Sequence, residues 1–217
     1  MLTAMRMQEG HETVTVVRRF SRVQAGKRAA ARRAAIELAS AGGYPAVTMA
    51  AVADRIGVAR ATIYRYFSSK DHLLAEVMDE WTTEINEDFR RHPPKGATLA
   101  DRVAAGFERL IKAAARTPGL TSALLLAATS ADPAASDALR SWSSPVPVYL
   151  QTLIGTQRVR DLEAITVVLS YVLFSALIAM ALRGQDPTEA AAVLRTTVRL
   201  LLRPQRGSHS REYFVNR

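Results

Sequence analysis

Cysteine is missing from all 217 residues, which excludes a disulfide framework and any thiolate metal site. Histidine is scarce, and His11, His72, His92 and His209 are widely scattered in the chain. There is no HExxH helix, no glycine-rich phosphate loop and no GxSxG elbow, so the local signatures of zinc peptidases, P-loop nucleotidases and serine hydrolases are all lacking. His72, next to Asp71, reads as a first-turn helical residue rather than a general base. No cofactor is expected, and an enzyme is not the expected reading. No segment alternates apolar and polar residues for long enough to make a sheet. The opening stretch, MLTAMRMQEGHETVTVVRRF, places charges where a secretory signal needs a continuous apolar run. Residues 1–24 are expected to be a flexible arm, and the polar stretch 204–217 a loose tail.

Acidic residues are short in one place. The net charge is +9, and residues 1–70 hold 12 Lys and Arg against 4 Asp and Glu, whereas residues 71–217 hold 17 against 16. The positive field is therefore concentrated in the first third of the chain, where it would attract a polyanion and steer its approach. An anionic membrane surface would suit the same charge. One run, Ala164 to Leu182, is nineteen residues without a charge and long enough to span a bilayer. Arg158, Arg160 and Arg183 lie on both sides of it, giving no inside–outside bias, and a helix apolar all round equally suits a central or subunit-interface position. The latter is expected, with no membrane partner.

What is abundant is helix signal, and the expected class is all-α. The segment KRAAARRAAIELASAG (27–42) is Ala-rich, with Gly42 and Gly43 to end it. Thr48 can cap a short helix to about Ile56; Gly57 breaks it; a second short helix covers about 60–66; Ser69 caps a third. After HPPKG, further helices are expected at 98–116, 119–130, 134–142, 146–156, 161–183 and 187–202, punctuated by Pro-Gly, Asp-Pro and Ser-Pro steps.

The stretch TMAAVADRIGVARATIYRYFSSKDHLL (48–74) has the helix, glycine turn and short helix of a helix-turn-helix, whose second helix enters the major groove while the first crosses the backbone. Ala53, Ile56, Val58 and Ile63 can close a small core, leaving Arg60, Thr62, Arg65 and Tyr66 outward or at the rim. These residues resemble the DNA-binding domain of the TetR family of bacterial transcriptional regulators. The likeness rests on Thr48, Ala53-Asp54, Gly57-Val58, Thr62 to Phe67 and Ser69 to Leu74, with Ala35, Ala39 and Gly42-Gly43-Tyr44 upstream. Within the family, the chain is similar to actinobacterial repressors of steroid and lipid catabolism.

The resemblance implies an N-terminal three-helix reading domain (25–70), a helical ligand-binding and dimerisation domain (71–203) and a cytoplasmic protein. It implies phosphate contacts from Thr48, Tyr66 and Lys70, and base reading by Arg60, Thr62 and Arg65, with Tyr64 and Phe67 packing the motif. Arg28, Arg32 and Arg33 are candidates for further backbone or minor-groove contacts. It also implies a two-fold homodimer on a palindromic operator, its seam drawn from Leu169, Leu173, Leu177, Leu194, Val198 and Leu201. A hydrophobic or amphipathic effector would sit among Trp81, Phe107, Leu110, Leu124, Trp142, Tyr149, Tyr171 and Phe174, with helix 70–90 as the transmitter between pocket and reader. The competing readings are an activator of the same fold and a basic helical module for membrane surfaces or proteins.

Overall fold

The computed structural model describes residues 22–140, 150, 153–154 and 159–202. Among them the regular elements are helices: α1 (Arg22–Ala46), α2 (Met49–Arg55), α3 (Arg60–Tyr64), α4 (Lys70–Arg91), α5 (Leu99–Arg116), α6 (Pro118–Ala128), α7 (Pro133–Arg140), α8 (Leu162–Arg183) and α9 (Pro187–Leu201). The all-α expectation holds, and these helices end within a few residues of the predicted bounds, while the helix expected at 146–156 falls largely outside the described residues. Helix α1 differs most: it starts at Arg22, inside the stretch expected to be arm. It leaves helical geometry at Gly42 and Gly43, the latter at φ 67°, a conformation that glycine adopts without steric cost. The remainder of the expected arm, the tail, Trp142 and Tyr149 lie outside the described residues.

The caps explain the boundaries. Thr48 Oγ1 accepts the Ala51 N–H at 3.1 Å, and Ser69 Oγ accepts the His72 N–H at 3.0 Å, each meeting an amide that the first helical turn leaves unpaired. Thr98 and Asp101 close a reciprocal capping box on α5. Helix α8 ends where Gly184 takes φ 71°.

Among the described residues, two apolar cores form. The first joins Ala31, Ala35 and Ala39 of α1 to Val52, Ile63 and Phe67 of the motif, then continues into Leu73, Leu74 and Met78 of α4 and Leu120, Ala123, Leu124 and Ala127 of α6. The second unites α5, α8 and α9 around Phe107, Ile111, Leu169 and Leu194, and receives Leu125 from α6 and Phe89 from α4. The reading domain's core thus runs past residue 70, and α6 faces both cores. An element apolar all round, as PGLTSALLLAA is, suits such a shared position.

Candidate nucleic-acid interface

The turn between α2 and α3 determines what the reading helix presents. Gly57 takes φ 67°. Its N–H donates to Asp54 O at 3.2 Å, and the Val58 N–H donates to Ala53 O at 3.0 Å, the paired bonds of a Schellman motif. Half-buried Val58 and Ile56 pack on the same core as Ala53. Helix α3 follows with Ala59 at its N-cap and no side-chain cap bond; the backbone bond from Thr62 N–H to Ala59 O, 2.8 Å, starts the helix instead.

Helix α3 is five residues long and buries Ile63 alone. Its helical period then puts Arg60, Ala61, Tyr64 and Arg65 on one exposed strip, with Thr62 half-buried at the edge. Arg60 and Tyr64 form a unit. The guanidinium donates to Tyr64 Oη at 3.1 Å and sits 5.5 Å from the ring centroid. Tyr64 is therefore not a packing residue: it is 45% exposed, because Ile63 and Phe67, four apart, take the inward positions. Its place one turn after Arg60 was the available signal. Tyr66 is half-buried against the first core.

Further polar and charged groups flank α2 and α3 in the chain. Thr48 is exposed, and its hydroxyl oxygen is engaged with the Ala51 amide, so its proton remains available for a phosphate oxygen. The Lys70 ammonium lies 3.6 Å over the ring of Tyr44. The Tyr44 hydroxyl donates to Asp71 Oδ1 at 2.7 Å; burial, reinforced by that carboxylate, pushes the phenol up to about 12.

The α1 arginines are differently disposed. Arg28 pairs bidentately with Glu76, Nε–H donating to Oε2 at 2.9 Å and Nη2–H donating to Oε1, and lies over Phe67. Arg32 donates to Glu80 at 2.7 Å and is 3.5 Å from Glu76. His72 Nδ1 accepts the Ser68 N–H at 3.2 Å, so the ring proton sits on Nε2, which faces Glu76 at 3.3 Å. Burial raises the Glu76 pKa, but hydrogen bonds from His72 and Arg28 outweigh it and hold the carboxyl below its ordinary value. Arg28 and Arg32 thus fasten α1 to α4, while Arg33 is exposed.

Among the described residues, the expected effector residues do not form one group. Trp81 and Leu124 line an apolar cavity of about 20 Å³ with Met78, Leu120, Thr121 and Leu177. Leu110 lines a separate half-open groove of about 240 Å³ with Phe89, Arg109 and Arg116. Phe107 is sealed in the second core, with Phe174 packed at its margin. Tyr171 is 72% exposed and lines neither space.

The expected seam residues turn the other way. Leu169, Leu173, Leu177, Leu194 and Val198 are buried within the protomer, and Leu201 packs beside them. The apolar residues left exposed on the same helices are Val167, Val168, Tyr171, Leu182, Val193 and Leu200. Helix α8 is long and apolar enough to cross a membrane by length and composition, yet Ile165, Leu169, Leu173 and Leu177 bury one whole face of it in the second core. Among the described residues, no group of three or more His, Asp or Glu is placed to hold a metal ion.

Comparison with known proteins matches this arrangement along most of the chain. Residues 32–77 match the model of the bacterial regulatory proteins of the tetR family, and residues 96–201 match a tetracyclin repressor-like C-terminal domain. The HTH-type transcriptional repressor KstR of Rhodococcus jostii (strain RHA1) is 35% identical over 170 residues, 78% of this chain and 79% of that protein. KstR of Mycobacterium tuberculosis is 34% identical over 173 residues, 79% of each. The crystal structure of a TetR transcriptional regulator from Rhodococcus sp. RHA1 superposes with a TM-score of 0.74 at 24% identity, over 84% of this chain and 99% of that one. Thermus thermophilus FadR, solved with lauroyl-CoA, gives 0.65 at 24% identity, over 81% and 93%; at that identity both establish the fold alone. The chain belongs to the tetR family of bacterial regulatory proteins: it is a DNA-binding transcriptional regulator whose helix-turn-helix is formed by α2 and α3.

Proposed function

We propose that the chain is a cytoplasmic repressor that occupies a palindromic operator as a homodimer and is released by a hydrophobic or amphipathic small molecule. The observation that carries the reading is the exposed Arg60–Tyr64–Arg65 strip on α3, aimed outward by the Gly57 turn. Arginine pairs bidentately with guanine in the major groove, while Thr48 and Lys70 at the flanks engage phosphates and set the register. Arg60, Thr62 and Arg65 read bases, and Tyr66 supplies a further phosphate contact from the rim.

One recognition helix covers few base pairs, so a second head is needed, one helical turn or about 34 Å away. The exposed apolar residues of α8 and α9 support a two-fold seam. Val168, Tyr171 and Leu182 recur along α8, as do Val193 and Leu200 on α9, at spacings that put each set on one face. Repression is supported by the KstR relatives, which are named repressors. The effector site is the apolar cavity beside Trp81 and Leu124. At about 20 Å³ it holds roughly one water, so a lipid-sized occupant must separate α6 from α4 and α8. An effector that widens this space binds the two states unequally, as a population shift requires. Steroids, fatty acids and acyl-coenzyme A thioesters are the compounds to screen.

The test is fluorescence anisotropy on the DNA upstream of the chain's own gene against a scrambled duplex, at about 0.15 M salt. Specific binding gives roughly 10³-fold or greater discrimination with two protomers per site, and release on adding the effector. Equal weak binding that falls with salt on both duplexes leaves only electrostatics and overturns the operator reading for that sequence.

A further inference from the structure

The start of α4 is held by the loop that follows α6. Asp71, in the first turn of α4, accepts two hydrogen bonds from opposite sides. The Tyr44 hydroxyl reaches Oδ1 at 2.7 Å, and the Ser130 hydroxyl reaches Oδ2 at 2.7 Å. Beside it, Ser69, the N-cap of α4, bonds to Asp132, whose other oxygen accepts the Ala134 N–H at 2.8 Å and anchors the start of α7. Tyr44 in turn carries the Lys70 ammonium on its ring. Ser130 and Asp132 follow α6, which supplies Leu120, Thr121, Leu124 and Leu125 to the apolar cavity.

We propose that Ser130, Asp71 and Tyr44 form a positioning relay that sets the Lys70 ammonium against DNA phosphate and transmits displacement of α6 to that contact. Asp71 is its junction. A carboxylate beside a phosphate-binding lysine is unfavourable on charge alone, since it repels the polyanion. Its two bonds give it a different use. It fixes the Tyr44 ring by its hydroxyl, and the ring is the platform on which the ammonium rests. The acceptor that orients Tyr44 is tied through its second oxygen to Ser130. A shift of α6 that draws Ser130 away removes one restraint on Asp71, hence on Tyr44, hence on Lys70. Transmission thus runs through α6 and its following loop as well as along α4, the element expected to carry it.

This inference rests on Lys70 as a phosphate contact, and the experiment separates the two. The salt dependence of binding is measured by anisotropy on a duplex selected by the full-length protein from a random pool, for wild type, Lys70→Ala, Tyr44→Phe, Ser130→Ala, Asp71→Ala and the double variant Tyr44→Phe/Lys70→Ala. Circular dichroism confirms that each is folded. Losing one phosphate contact lowers the slope of log affinity against log salt by about 0.9. The relay requires Tyr44→Phe and Ser130→Ala to weaken binding roughly 3- to 10-fold, with a slope falling toward that of Lys70→Ala. It requires Tyr44→Phe to add nothing once Lys70 is gone. Asp71→Ala must also weaken binding, although removal of a negative charge alone would tighten it. If Lys70→Ala lowers the slope while Tyr44→Phe and Ser130→Ala keep the wild-type value, the relay is wrong and the phosphate contact stands. If Lys70→Ala leaves the slope unchanged, both are wrong. A Tyr44→Phe variant that melts lower but binds with the wild-type slope shows that its role is stability alone.

Discussion

Gly119 lies with its Cα against the carbonyl of Ala39: a Cβ there would fall 2.6 Å from that oxygen and 3.2 Å from Ser40 O. The first turn of α6 is therefore packed backbone to backbone on the end of α1, just before the Gly42-Gly43 break. A side chain cannot enter without moving one helix off the other. Gly119→Ala brings a helix-propensity gain of up to about 1 kcal/mol, but overpacking of this kind costs about 1–3 kcal/mol. We expect a net loss of stability in denaturant melts. A variant as stable as wild type would show that α6 can slide on α1 freely.

The α3 strip and its flanks should separate by specificity. Arg60→Ala is expected to cost about 1–3 kcal/mol on the preferred operator and to relax selection at one base position. Tyr64→Phe keeps the stacking surface but frees the guanidinium from Oη, so it should blur the same position with a smaller loss. Thr48→Ala should weaken every sequence alike. Selection from random duplexes reads all three. An Arg60→Ala variant with an unchanged sequence logo would remove Arg60 from the base-reading set.

Arg28 offers the contrast. Its guanidinium is spent on Glu76 and the face of Phe67, so Arg28→Ala should lower the melting temperature while leaving the salt dependence of DNA binding near the wild-type slope. A slope reduced by about 0.9 with unchanged stability would return Arg28 to the DNA contacts.

Acid should loosen the same junction. The folded-state carboxyl of Glu76 lies below its ordinary value of 4.5, so the ionised form is the one that folding favours. Its contribution is fully present above the unfolded-state pKa and is lost as pH falls through the folded value. Glu76→Gln should melt below wild type at neutral pH, with the gap closing only under acid conditions below about pH 4.5. A gap that is constant from pH 7 to pH 3 would mean the loss is steric rather than ionic.

The two faces of α8 should respond differently. Tyr171→Asp, on the exposed face, is expected to give a folded monomer by sedimentation velocity and to abolish operator binding. Leu173→Ala, on the buried face, should cost about 2–5 kcal/mol of stability. A Tyr171→Asp protein that remains dimeric would place the seam elsewhere.

The reading head was legible in the sequence because its determinants are local. The caps at Thr48 and Ser69, the glycine pair after α1 and the turn at Gly57 act within a few residues, and a five-residue helix with one buried isoleucine leaves little choice of face. Tyr64 is ambiguous in the sequence because a tyrosine in a short apolar run suits packing as well as exposure; the inward placement of Ile63 and Phe67 leaves it exposed. The α1 arginines were legible as charge but not as partners, since Glu76 and Glu80 stand 48 positions from Arg28 and Arg32 in the chain.

Helix α8 marks the limit. With apolar residues on every side, its pattern carries no preferred direction, so the leucines that fill the protomer and the valines and tyrosine that face outward look alike in sequence. The sequence alone determined an all-helical chain with a basic DNA-reading head, because caps, turns and charge are properties of short segments. Which leucines make the core, which carboxylates hold the arginines, and how Ser130 meets Asp71 were decided only by tertiary packing. Those contacts join residues far apart in the chain, and their geometry exists only once the helices are laid against one another.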